Sequence, residues 1–113
     1  MEQNNETALL ESLTLELRRG TIVLSVLSQL KTPKYGYLLV TELQDKGMKV
    51  DANTLYPLLR RLEKQEILTS SWDTEGTKPR KYYEMSELGK NLFTSLCDIW
   101  LEINETMKNL IEG

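Results

Sequence analysis

The sequence predicts a mainly α-helical protein with one small β-hairpin, closed by a long C-terminal helix. Three observations predict it. Apolar residues recur every three or four positions at both ends of the chain, the spacing of a helix face. Between those ends, two short strand-like runs flank a polar, turn-rich stretch around Gly76 and Pro79. The 113 residues, 40% hydrophobic and 27% charged, suit one domain with a modest core.

The elements follow in order. Leu9, Leu10, Leu13 and Leu17 mark a first helix, and Ile22 to Leu30 is apolar on most sides, as a buried helix is. Gly20 either separates the two or sits inside one long helix at a cost of about 1 kcal/mol. Pro33 breaks the chain, and a short helix starts near Gly36 and ends at Asp45-Lys46-Gly47, where Gly47 suits a left-handed cap. In the next helix Leu55, Leu58, Leu59 and Leu62 share one face. Asp51 or Asn53 caps it, and Pro57 asks for a first-turn position, so the start is placed at Asn53 or Thr54. Ile67–Trp72 and Lys81–Met85 read as the strands of the hairpin, which must lean on the helices because two strands alone are marginal.

Ser86 is a candidate N-cap for the last helix. Leu88, Leu92, Leu96, Ile99, Ile103, Met107 and Leu110 then repeat at three or four residues, a seam over about six turns. One small chain hardly covers its distal half, so a partner helix is the natural cover, with Leu92, Leu96, Ile99, Trp100, Ile103, Met107 and Leu110 as the dimer interface. The N-terminal helix either joins that interface or covers the core.

Composition removes several functions. The chain has no histidine and one cysteine, Cys97, which excludes His-based catalysis, His-ligated zinc and an intrachain disulfide. No Gly-rich phosphate loop and no convincing carboxylate pair point to an enzyme, and no cofactor or metal is expected. The opening Met-Glu-Gln-Asn-Asn is unlike a signal segment and no apolar run is long enough for a membrane helix, so a cytoplasmic location without membrane contact is expected.

The net charge of −3 speaks against nucleic acid only until it is divided. Lys46 to Lys81 holds eight basic and five acidic residues, whereas Ser86 to Gly113 holds two and five. Helix, turn, helix and hairpin form a winged helix-turn-helix in which Gly36–Lys46 supports, Asn53–Gln65 reads and the hairpin is the wing. The basic charge falls on that reading surface, where phosphate contacts dominate affinity.

The candidate DNA contacts are Lys34, Tyr35, Tyr37, Asn53, Thr54, Tyr56, Arg60, Lys78, Arg80 and Lys81. Each has a plainer reading. Tyr35 and Tyr37 either pack between helices or reach phosphate; Asn53 and Thr54 either cap or contact bases; Tyr56 is reader or core. Arg60 and Arg61 face different sides, so at most one is central, and Arg60 alternatively pairs with Glu63 along its own helix. Cys97 is expected to pack as a small hydrophobe.

Tyr35-Gly36-Tyr37, Thr54-Leu55-Tyr56-Pro57-Leu58-Leu59-Arg60-Arg61-Leu62-Glu63, Pro79-Arg80-Lys81-Tyr82-Tyr83 and Ser86-Glu87-Leu88-Gly89 resemble the signature blocks of PadR-family transcriptional regulators. The resemblance runs from about Leu17 to Lys90, with a C-terminal helix of the short-tailed kind. It implies a winged-helix DNA-binding domain over residues 1–85 and a dimerisation helix over 86–113. It further implies a homodimeric repressor on a palindromic operator, often its own promoter, released by an aromatic or phenolic effector. Trp100 falls where multidrug-sensing members carry a ligand-stacking tryptophan; its plainer reading is dimer-core filler. One departure stands out. Glu66 occupies a position where the family usually has glycine, and a positive φ there would cost about 1–2 kcal/mol. The rival reading is a winged-helix protein-interaction module without an operator.

Overall fold

A computed structural model describes residues 2–113 of the chain, with side chains from Asn4 onward. They form α1 (Glu2–Arg19), α2 (Ile22–Ser28), β1 (Lys34–Tyr35), α3 (Gly36–Asp45), α4 (Ala52–Lys64), β2 (Leu68–Asp73), β3 (Arg80–Met85) and α5 (Glu87–Glu112). The sheet order is β1-β3-β2, antiparallel throughout. This is the mainly helical winged fold the sequence predicts, with its long last helix.

The core gathers Val26, Leu27 and Leu30 beside Leu39 and Leu43 of α3. Leu55, Leu59 and Leu62 of α4 close it, with Leu68, Tyr83 and Met85 from the sheet. Among the described residues no polar or charged side chain is buried. Stability therefore rests on apolar burial, about 25 cal/mol per Å² removed from water.

Gly20 divides two helices: α1 stops at Arg19, and the Thr21 amide returns to the Arg18 carbonyl at 2.9 Å. A second difference is β1. The hairpin gains a third strand, with Lys34 opposite Tyr83 and Tyr35 opposite Tyr82. Pro33 holds the preceding backbone away from helix, and the added pairing supports a ribbon that would be marginal with two strands.

Helix α4 starts at Ala52, earlier than expected, because Asp51 wins the cap: its Oδ1 accepts from the Thr54 amide at 2.8 Å. Pro57 therefore lies in the second turn, contrary to the expected first-turn position. Pro57 offers no N–H to the Asn53 carbonyl. That carbonyl belongs to an exposed residue at the helix start, where water can satisfy it at little cost.

Helices α3 and α4 end alike. The Gly47 amide bonds Gln44 and the Met48 amide bonds Leu43; the Glu66 amide bonds Glu63 and the Ile67 amide bonds Leu62, all at 2.8–3.0 Å. Both are Schellman closures, which need a left-handed residue. Gly47 supplies it with φ of 96° and Glu66 with φ of 64°.

Candidate nucleic-acid interface

Three buried leucines fix the rotation of α4. With Leu55, Leu59 and Leu62 inward, the helical repeat turns Asn53, Pro57, Arg60 and Lys64 to the opposite side as one outer ridge. All four are exposed. Arg60 is thus the central arginine of the adjacent pair, and Arg61 sits on a flank. Lys64 completes the ridge and was absent from the expected set; the four-three-four spacing from Asn53 was its signal in the sequence.

The wing flank of α4 is organised by Glu63. Its Oε1 accepts from Lys81 Nζ at 2.9 Å, and its Oε2 accepts from the Ser70 hydroxyl. Ser70 first, and Lys81 with it, hold the Glu63 carboxyl below its ordinary value, while Glu63 raises Lys81. Arg60 therefore does not pair with Glu63, since the hairpin has claimed that carboxylate. Lys81 also approaches the Tyr83 ring at 5.1 Å and the Trp72 ring at 6.0 Å. Arg60, Arg61, Lys64 and Lys81 rim an open depression of about 670 Å³ between reading helix and wing, with Glu63 on its border.

The base of the wing is an aromatic stack. Tyr35 lies on Tyr82 at 4.0 Å and Tyr37 lies parallel to Tyr35 at 5.9 Å. The Tyr82 hydroxyl donates to the Tyr35 hydroxyl, which donates to Asp73 Oδ2 at 2.9 Å. This chain pushes the Tyr35 hydroxyl well above its ordinary range, chiefly through Tyr82. The Glu75 amide first, and the Tyr35 hydroxyl after it, hold the Asp73 carboxyl below its ordinary value. The Arg80 guanidinium sits 5.2 Å from the Tyr35 ring and 5.9 Å from that of Tyr37. Stacked there, a planar cation has less freedom to lose when it meets a phosphate.

The remaining expected contacts separate. Lys34 is paired with Glu42 inside the domain, so its charge is already partnered. Tyr37 is exposed, whereas Tyr56 is half-buried with its ring over Gly36, where a Cβ would lie 2.6 Å from Tyr56 Cε1. Thr54 is exposed, and Lys78 is exposed at the wing tip between β2 and β3. Asp73, Tyr82 and Glu63 are organisers that sequence spacing did not reveal, because each acts across elements.

On α5, Leu92, Ile99, Trp100, Ile103, Met107 and Leu110 are all exposed, while Leu96 packs on the chain's own core. No helix among the described residues is long and apolar enough to cross a membrane.

The transcriptional regulator PadR-like family matches residues 23–95. The chain belongs to that family. A PadR family transcriptional regulator from Eggerthella lenta is similar over 96% of this chain and 97% of its own, with 46% identity and a TM-score of 0.92. An uncharacterized protein of Lysinibacillus sphaericus is 31% identical over 88 residues, 74% of this chain and 81% of that one. Bacillus subtilis PadR, solved in complex with operator DNA, shares the fold with a TM-score of 0.63 at 21% identity, over 68% of this chain and 45% of that chain.

Proposed function

We propose that this PadR-like regulator is a homodimeric repressor that binds a palindromic operator and is released by a flat aromatic effector. The observation that carries the reading is the outer ridge of Asn53, Arg60 and Lys64 beside an Arg80 pre-stacked on tyrosines. Residues 1–85 present it, and residues 86–113 pair the protomers. Bacillus subtilis PadR was captured on operator DNA, and the same docking suits this chain. The α4 helices of a dimer then enter successive major grooves about 34–36 Å apart, with Arg80 and Lys78 on phosphate at the wing.

The exposed α5 seam supports the dimer, because an apolar stripe of that length is normally covered. Trp100, 42% exposed in the single chain, supplies a face for an aromatic ligand between subunits. Such a ligand releases DNA only through unequal affinity for the DNA-competent and incompetent dimers.

Fluorescence-anisotropy titration against the gene's own upstream DNA and a scrambled duplex, at two salt concentrations, tests the proposal. Tight, salt-sensitive preference for the upstream DNA is expected, and an aromatic-ligand screen reporting on Trp100 follows. Weak, salt-insensitive binding to both duplexes would overturn it in favour of a wing and helix that grip a protein.

A further inference from the structure

We infer that Arg19 and Arg61 form a second phosphate-binding flank of α4, on the side turned away from the wing. The inference rests on the DNA-binding reading above and extends it beyond the outer ridge and the wing, to a flank of α4 and the end of α1. Glu63 marks the wing side of α4. Across the outer ridge, the opposite flank carries Thr54 and Arg61. There Arg19, at the C-terminus of α1, borders one depression of about 360 Å³ with Thr54, Pro57 and Arg61 of the reading helix, floored by α2. Arg61 also borders the wing-side depression, so it bridges the two flanks.

The chemistry of this depression is one-sided. No acidic residue borders it, both arginines are exposed, and neither has an ion-pair partner among the described residues. Arginines in the last turn of α1 also suit its dipole. The dipole, however, asks only for the last turn and not for the side facing α4. Two guanidinium groups without ion-pair partners, bordering one depression with a threonine, suit an anion there, and planar forks match phosphate oxygens.

Groove geometry says which anion. The major groove is about 12 Å wide, and a helix with its side chains is about 10–12 Å across. A helix seated there has a phosphate backbone along each flank. The wing's cations meet one backbone; Arg19 and Arg61 meet the other. The ligand is therefore the phosphodiester backbone of duplex DNA, bound without regard to sequence.

Arg19→Gln and Arg61→Gln, made in the full chain, test the inference against upstream and scrambled duplexes between about 50 and 200 mM salt. Each substitution removes two contacts per dimer, so the slope of log affinity against log salt should fall by about 2. The wild-type advantage should then shrink about tenfold across that range, equally on both duplexes. Arg19→Lys should recover most of the slope. Unchanged slopes in folded variants, as checked by circular dichroism, would overturn the inference while leaving the DNA-binding reading intact. A wild type that binds neither duplex salt-dependently would instead overturn that reading, and this inference with it.

Discussion

Gly89 lies so close to the Ile67 carbonyl that a Cβ at position 89 would sit 2.2 Å from its oxygen. The contact joins the first turn of α5 to the junction of α4 and β2. The Ser86 amide reaches the same carbonyl at 3.1 Å, and Ser86 Oγ accepts from the Gly89 amide at 3.0 Å. The first turn of α5 is thus tied to the end of the reading helix through one backbone carbonyl. Backbone cannot yield as a side-chain tip can, so Gly89→Ala should cost about 3 kcal/mol. Urea denaturation measures this, and a cost near zero would mean that the junction is slack.

Glu66 holds φ of 64° at the Schellman turn that ends α4. Its carbonyl accepts from the Ser86 hydroxyl at 2.6 Å, so the turn is held from outside. Glycine needs no such constraint there. Glu66→Gly should stabilise the chain by about 1 kcal/mol, seen as a higher urea midpoint at unchanged slope. A lower midpoint would show that the glutamate side chain contributes more than its backbone strain costs.

The Glu63–Lys81 pair sets a pH dependence. The folded Glu63 carboxyl lies below its ordinary 4.5, held by Ser70 and Lys81. Its contribution is fully present above that ordinary value and is lost as pH falls through the folded one. Lys81, raised above 10.5, contributes fully below that value and loses its part as pH rises through the folded one. Between those limits the pair should give a flat plateau. The stability difference between wild type and Glu63→Gln should hold constant near neutrality and shrink on acidification. A difference that stays unchanged from neutrality down to about pH 3, below the unfolded carboxylate value, would assign it to packing instead of charge.

Much of this was legible because helices advertise their faces. Leu55, Leu59 and Leu62 fix the outward side of α4, and the seam from Leu88 to Leu110 marks α5. The positive φ at Glu66 was legible through the PadR resemblance, which places a glycine at that position. What spacing hides is pairing across elements. Arg60 and Glu63 are one turn apart, so a local pair looked natural, yet Ser70 and Lys81 reach Glu63 from the two strands of the hairpin. The strand at Lys34–Tyr35 carries no periodic signal in two residues and exists only because β3 offers it an edge. Pro57 reads as a first-turn residue when local helix geometry alone is weighed, and Asp51 decides otherwise by capping earlier.

The seam on α5 gives the last prediction. Ile103 is 55% exposed in the single chain, with Ile99 and Met107 one turn to either side. If two copies cover this stripe, a two-fold interface places each residue in it twice. Ile103→Glu would then bring two unpaired carboxylates into an apolar contact, costing about 3 kcal/mol or more, over a hundredfold in dimer Kd. Being exposed in the single chain, position 103 should tolerate the change without loss of helix content. Analytical ultracentrifugation should show wild-type dimer and variant monomer at equal concentration, with operator affinity falling in step. An unchanged dimer would move the interface off α5, to the exposed stripe of Leu9, Leu13 and Leu17 on α1, and would remove Trp100 from any pore between subunits.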